Sequence, residues 1–302
     1  FLTAIATWPQ GVPRLGSQAR GPCAWVLGCR GRALLASCLT STLFLPVSLP
    51  AGVRPVVHWS ESPECPVRSR RHPYGHSAFV YGPILLHGKE ADVDVMIESK
   101  GVLPEYKEFI FSCDMTSAYE YHKKFLQLLQ QDAPGVWNVK KPSHALWLET
   151  IFKVYPDARV IWTHRDPFAA TASLCSIISL SHYAHMGKPN TEWLAENYPW
   201  QAAEHANRVM DFRDKHGEDK IIDVHYEDMM TDPIGTVKRV YAQLGDEFTG
   251  AAEAGIQAWV DDNPQDKFGK HEYKLAQYGL TKEGLEPLFE RYLSRYDVAR
   301  EG

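Results

Sequence analysis

The 302-residue chain has no lysine before Lys89, and its six cysteines include no C-x-x-C pair and no Cys/His cluster. Such spacing offers neither a zinc site nor a disulfide framework. No G-x-x-x-x-G-K-[ST] loop occurs, so the lysine that defines a Walker-type kinase or nucleotide hydrolase is missing. An excess of basic charge is missing too. The 32 Lys and Arg stand against 37 Asp and Glu, a balance that argues against a general nucleic-acid binder. No internal repeat is visible. What remains is ordinary globular composition, 44% hydrophobic and 23% charged, which argues against disorder and fibrous repeats. The length is about twice that of a typical domain, a size that single α/β units reach.

Charge is unevenly spread. Residues 1–75 carry eight Arg, no Lys and two acids, a net charge of +6, whereas the remainder carries −11. The same stretch holds nine of the 20 prolines and four of the six cysteines. Arg without Lys, mixed with Pro, Cys and Ser, resembles GC-rich DNA translated out of frame or through an intron. Residues 1–75 are therefore expected to be an atypical N-terminal segment, in which part of 19–75 is such a product, ahead of an α/β domain over 76–302. A transcript that confirms this frame would refute the idea. Residues 33–53 lack charge and have the length of a membrane span. Pro46, Pro50 and five hydroxyl residues break that run, so no membrane span is expected there.

From Pro104 onward the pattern is regular. A helix is expected over 118–131, with Tyr121, Phe125, Leu128 and Leu129 on its apolar stripe. Val136–Val139 reads as a short strand, and Ser143 as the N-cap of a helix running to Val154. Arg159–Thr163 reads as a buried parallel strand. Asp166-Pro167 and Asp232-Pro233 each place an N-cap residue before a first-turn proline. One or two helices are expected over 191–216, a strand over 220–226, and an amphipathic helix over 285–296. Strand and helix in alternation predict a central parallel sheet flanked by helices.

Chemistry-bearing residues gather at the expected strand ends. Arg165 falls at the carboxyl end of a buried strand, where open α/β sheets bind ligands. Ser173 follows two turns into the next helix. A guanidinium fork, a hydroxyl and helix N–H groups together suit a phosphate. Arg165 could equally pair with an acid, and Ser173 could simply pack. Lys141 and His144 lie at another strand-to-helix junction, where a Lys can neutralise developing charge and a His can take a proton. A histidine at a helix start is also often structural. Near the N-terminus, Arg14, Gly16, Ser17 and Gln18 form a Gly/Ser turn after a strand-like run, able to cradle an anion with backbone N–H groups.

Together, WNVKKPSH (137–144), YPDARVIWTHRDPFAATAS (155–173), HYEDMMTDP (225–233) and KHEYKLAQYGLT (270–281) resemble the sulfotransferases that use 3′-phosphoadenosine-5′-phosphosulfate, in the broad bacterial and carbohydrate-type group. The resemblance spans roughly residues 104–296. It implies a P-loop-like three-layer α/β fold. It also implies a reaction that moves the donor's sulfuryl group to an acceptor hydroxyl, without a metal. On this resemblance Arg165 and Ser173 bind the donor's 3′-phosphate, and Lys141 and His144 flank the transferred group, with His144 as base. Arg14, Gly16, Ser17 and Gln18 match the 5′-phosphosulfate loop in part. Leu15 and Gln18 stand where hydroxyl residues are usual, and Gly21-Pro22 interrupts the helix that should follow. A donor loop so altered leaves open an inactive or truncated sulfotransferase-like protein; a P-loop kinase-like phosphotransferase is the more distant alternative. Leu86-His87-Gly88 and the acids after it resemble a segment near the acceptor. The acceptor is expected to be a small molecule or carbohydrate, lined from 76–115 and 181–200, with His182, Tyr183, His185, Trp193 and Trp200 as candidates. Those aromatics could equally be packing. The compartment stays open, with the cytoplasm favoured over a Golgi lumen.

Overall fold

A computed structural model describes residues 4–9, 99–129, 136–264 and 273–301; of residues 4–9 it describes the backbone. Among the described residues, four strands form one sheet in the order β2-β1-β3-β4: β1 (Ala4–Pro9), β2 (Val136–Lys141), β3 (Arg159–His164) and β4 (Ile221–His225). The helices are α1 (Pro104–Ser112), α2 (Thr116–Leu129), α3 (Leu148–Val154), α4 (Pro167–Met186), α5 (Thr191–His216), α6 (Tyr226–Thr231), α7 (Pro233–Leu244), α8 (Gly250–Asp262) and α9 (Lys282–Arg295).

β3 is the centre of the layering. Its Val160, Ile161 and Trp162 are all buried, as a parallel strand covered on both faces requires. Successive side chains point to opposite faces. Val160 and Trp162 join the larger core, built with α2, α3, α5 and Tyr292 of α9. Ile161 joins Val224, Met229, Val237, Val240, Tyr241 and Ile256 on the other face, under α6, α7 and α8. The expected three-layer α/β arrangement is therefore present.

Strand direction holds one surprise. β3 and β4 pair in parallel, from Val160 opposite Ile221 to His164 opposite His225. β1 runs antiparallel to both its neighbours, with Ala4 opposite both Lys141 and Trp162, and Pro9 opposite Val136. Three strands thus share one direction and β1 opposes them. The carboxyl end of β1 lies at the edge of the sheet away from Lys141.

The proline-led helix starts form as expected. Asp166 accepts a hydrogen bond from Phe168 N at 3.1 Å ahead of α4, and Asp232 accepts one from Gly235 N at 2.8 Å ahead of α7. The expected Ser143 cap does not form. Pro142, with its fixed φ and no N–H, suits a first helical position. The turn therefore begins two residues early, as a 3-10 helix over Pro142–Trp147 with Lys141 in the capping place. Ser143 Oγ is left buried, without a hydrogen-bond partner among the described residues.

α2 also turns a different face inward. Tyr119, His122 and Leu126 are buried, while of the expected stripe Phe125 packs in part against the core and Leu128 is 65% exposed. Tyr119 and His122 tolerate burial because both find hydrogen-bond partners inside.

Candidate functional site

The carboxyl ends of β2 and β3 carry the candidate residues. Ala4 lies between Lys141 and Trp162, so these two stand two strand spacings apart, about 10 Å. From the β2 end, the chain turns through the 3-10 helix that buries His144 to 6% exposure. Its Nδ1 lies 2.7 Å from the Tyr119 hydroxyl. One turn along α2, His122 Nδ1 lies 2.7 Å from the Tyr155 hydroxyl, and that hydroxyl donates to Tyr119 O at 3.4 Å. Burial, followed by the charge of Lys141 and the presence of His122, holds the His144 pKa well below the ordinary imidazole value. Burial and then Lys141 push His122 down to about 3. Both imidazoles are neutral at physiological pH.

Arg165 follows the last residue of β3. Its guanidinium grips a carboxylate with two nitrogens: Nε donates to Glu301 Oε1 at 2.6 Å and Nη2 to Glu301 Oε2 at 2.7 Å. Nη2 also donates to the Tyr273 hydroxyl at 2.7 Å. The Tyr226 ring lies against the same group, 4.5 Å from its carbon. Burial opposes the charge, but Glu301 and the two phenols outweigh it and hold the pKa above its ordinary value. This is a site for an oxyanion held in a planar fork. Glu301 is anchored in turn, since its N–H donates to Asp166 Oδ2 at 2.9 Å. Ser173 is buried in the second turn of α4.

Behind Arg165, a polar chain braces the strand end, in which buried His164 and Arg213 meet the partly exposed Asp223. His164 Nε2 lies 2.7 Å from Asp223 Oδ1 and its Nδ1 3.0 Å from the Tyr292 hydroxyl. Arg213 Nη2 donates to Asp223 Oδ2 at 2.9 Å and Nη1 to Tyr296 at 3.0 Å. Burial lowers the His164 pKa although Asp223 opposes it; Asp223 is held low despite burial by His164 and Arg213.

Several expected residues fall elsewhere. Arg14, Gly16, Ser17 and Gln18, the uncharged run at 33–53 and the segment at 86–88 lie outside the described residues. Of the aromatic candidates for an acceptor pocket, His182 is fully buried and Tyr183 is 66% exposed. Trp193 and Trp200 flank the Lys107 ammonium at 5.4 and 5.3 Å. No cluster of three His, Cys, Asp or Glu suited to a metal occurs among the described residues. No described helix is long and apolar enough to cross a membrane.

Tyr119, Tyr273 and Glu301 are the partners that sequence reasoning missed. Tyr273 lies within a motif already singled out, but nothing in the spacing ties Tyr119 or Glu301 to their basic partners, 25 and 136 residues away.

The sulfotransferase family profile matches residues 86–250, just over half of the chain, and that stretch includes Lys141, His144, Arg165 and Ser173. The chain belongs to the sulfotransferase family. Among solved structures, sulfotransferase STF9 from Mycobacterium avium matches with a TM-score of 0.64 and 36% identity, over 70% of this chain and 55% of its own. Sulfotransferase STF1 from Mycobacterium tuberculosis H37Rv matches with a TM-score of 0.56 and 28% identity, over 68% of this chain and 52% of its own. Both carry the P-loop-like fold of the sulfotransferases. A curated relative, the omega-hydroxy-beta-dihydromenaquinone-9 sulfotransferase Stf3 of Mycobacterium bovis, is 20% identical over 155 residues, 51% of this chain. The chain spans 40% of that relative's length.

Proposed function

We propose that this sulfotransferase-family chain moves a sulfuryl group from 3′-phosphoadenosine-5′-phosphosulfate to the hydroxyl of a small molecule, in a unit that combines residues 76–302 with β1. The observation that carries the reading is the Arg165 fork. It stands at a strand end beside a helix N-terminus and already holds a carboxylate through two hydrogen bonds. In the proposed complex, the donor's 3′-phosphate takes that fork, with Ser173 as a second contact. Glu301 then has to leave, so donor binding includes the cost of displacing an internal anion.

Sulfuryl transfer resembles phosphoryl transfer, an in-line displacement that rests on positioning and charge stabilisation. His144, neutral and buried, receives the proton of the attacking hydroxyl. Lys141 stabilises charge on the transferred group and on the leaving 5′-phosphate. The Arg14, Gly16, Ser17 and Gln18 segment is proposed as the 5′-phosphosulfate loop. β1 ends opposite Val136, at the other end of β2 from Lys141. The menaquinone-derived substrate in the name of the Stf3 relative supports an alcohol acceptor. Metal is not required by any residue role here.

The test is transfer itself. Incubation with the sulfuryl donor and a panel of small-molecule and carbohydrate alcohols should release adenosine 3′,5′-bisphosphate together with a sulfated acceptor, seen by mass spectrometry. Adenosine 3′,5′-bisphosphate that accumulates without any sulfated alcohol would point to hydrolysis and contradict the reading.

A further inference from the structure

We infer that Tyr119 is a positioning residue for His144, holding the imidazole through Nδ1 so that Nε2 is the nitrogen presented to the acceptor hydroxyl. The inference rests on the sulfotransfer reading above and adds to it a residue outside every motif of the sequence.

The geometry is specific. The Tyr119 hydroxyl lies 2.7 Å from His144 Nδ1, and both residues are 6% exposed. It is the hydrogen-bond partner of the His144 ring among the described residues, so Nε2 is left to other chemistry. The Tyr119 ring is itself fixed. His122 meets it edge-on at 6.2 Å and Trp147 packs at 6.5 Å, while the Tyr155 hydroxyl donates to the backbone carbonyl of Tyr119. A tyrosine brought in by α2 thus controls the orientation of a histidine on the turn after β2.

The tautomer follows from the chemistry. A neutral imidazole has one N–H and one lone pair, and a phenol both donates and accepts. If Nδ1–H donates to Tyr119, the lone pair is on Nε2 and the ring can take the acceptor's proton there. If instead the phenol donates to Nδ1, Nε2 carries hydrogen and cannot serve as base. Only the first arrangement serves transfer. In it, the proton leaves the acceptor oxygen as its bond to sulfur forms and the bond from sulfur to the 5′-phosphate oxygen breaks. Nε2 gains that proton, the cation is shared with Tyr119 through Nδ1–H, and the electron pair departs with the phosphate.

Nitrogen-15 NMR of histidine-labelled protein at pH 7.5, with His144 assigned by comparison with His144→Gln, tests the tautomer directly. The wild type should show Nδ1–H. Tyr119→Phe leaves that buried N–H without an acceptor, so the ring should shift toward Nε2–H. With it, kcat should fall about 10- to 100-fold while the donor Kd stays the same. An Nε2–H ring in the wild type overturns the inference, and does so even if Tyr119→Phe fails to fold. Equal loss of kcat and donor affinity, or no loss of kcat, overturns it as well. Turnover with the wrong tautomer sinks only the role of Tyr119, whereas a wild type that sulfates no acceptor sinks the sulfotransfer reading and this role together.

Discussion

Glu301 sits in the fork of Arg165, with its two carboxylate oxygens 2.6 and 2.7 Å from Nε and Nη2. The carboxylate makes the two parallel hydrogen bonds that a phosphate would make with the same group. Glu301→Gln should therefore strengthen binding of adenosine 3′,5′-bisphosphate about 10-fold or more, because a neutral amide competes less well for the guanidinium. Adenosine 5′-monophosphate, which has no 3′-phosphate to compete, should bind the variant and the wild type alike. Calorimetric titration of both proteins checks this. Equal affinities for the bisphosphate would mean that Glu301 is no competitor.

Removing the candidate base separates binding from chemistry. His144→Gln should lower kcat about 10²–10⁴-fold, the usual contribution of a positioned proton acceptor. Donor affinity should hold within a factor of about two, because His144 contributes nothing to the Arg165 fork. Steady-state kinetics with titration of the bisphosphate reads both quantities, and retained turnover would remove His144 from the mechanism.

Acid should weaken the fold through the same region. His122 and His144 stay neutral in the folded protein because their pKa values lie below the ordinary 6.5, at about 3 for His122. The unfolded chain then binds protons that the folded one refuses. Stability is full above about pH 6.5 and declines as the pH falls from there, for His122 down to about 3 by about 1.4 kcal/mol per pH unit, with His144 adding in the same direction. Urea unfolding at pH 7.5 and pH 5 should show this loss, and His122→Gln should reduce it. A slope unchanged in that variant would place the acid sensitivity elsewhere.

Asp223 supports the end of the sheet. Its removal leaves Arg213, 2% exposed, with one carboxylate fewer, and strips His164 of a partner. Asp223→Ala should cost about 2–4 kcal/mol in urea unfolding. Glu218, 3.0 Å from Arg213 Nε, keeps the loss from being larger. A cost below about 0.5 kcal/mol, the range of ordinary surface changes, would show that the network is dispensable.

Much of this was legible in the sequence because local chemistry decided it. Asp166-Pro167 and Asp232-Pro233 start helices because a side-chain acceptor and a fixed φ act within three residues. The hydrophobic run of β3 reads as a doubly covered strand because it is one. Arg165 stands at a strand end because the strand before it and the capped helix after it leave it nowhere else. Other features are long-range and leave no local trace. Glu301 reaches Arg165 across 136 residues, and the inner face of α2 depends on Tyr119 and His122 finding distant partners. A stripe of apolar residues cannot show that two polar ones will be satisfied inside. The direction of β1 is likewise set by pairing with distant strands, which composition does not show.

The most direct measurement is a titration of the wild-type chain and Arg165→Ala with adenosine 3′,5′-bisphosphate, using adenosine 5′-monophosphate as control. The wild type should bind the bisphosphate at least about 10-fold more tightly than the monophosphate, and Arg165→Ala should erase that difference. Folded wild-type protein that binds neither nucleotide, or Arg165→Ala that keeps the preference for the 3′-phosphate, would contradict a donor site built on Arg165.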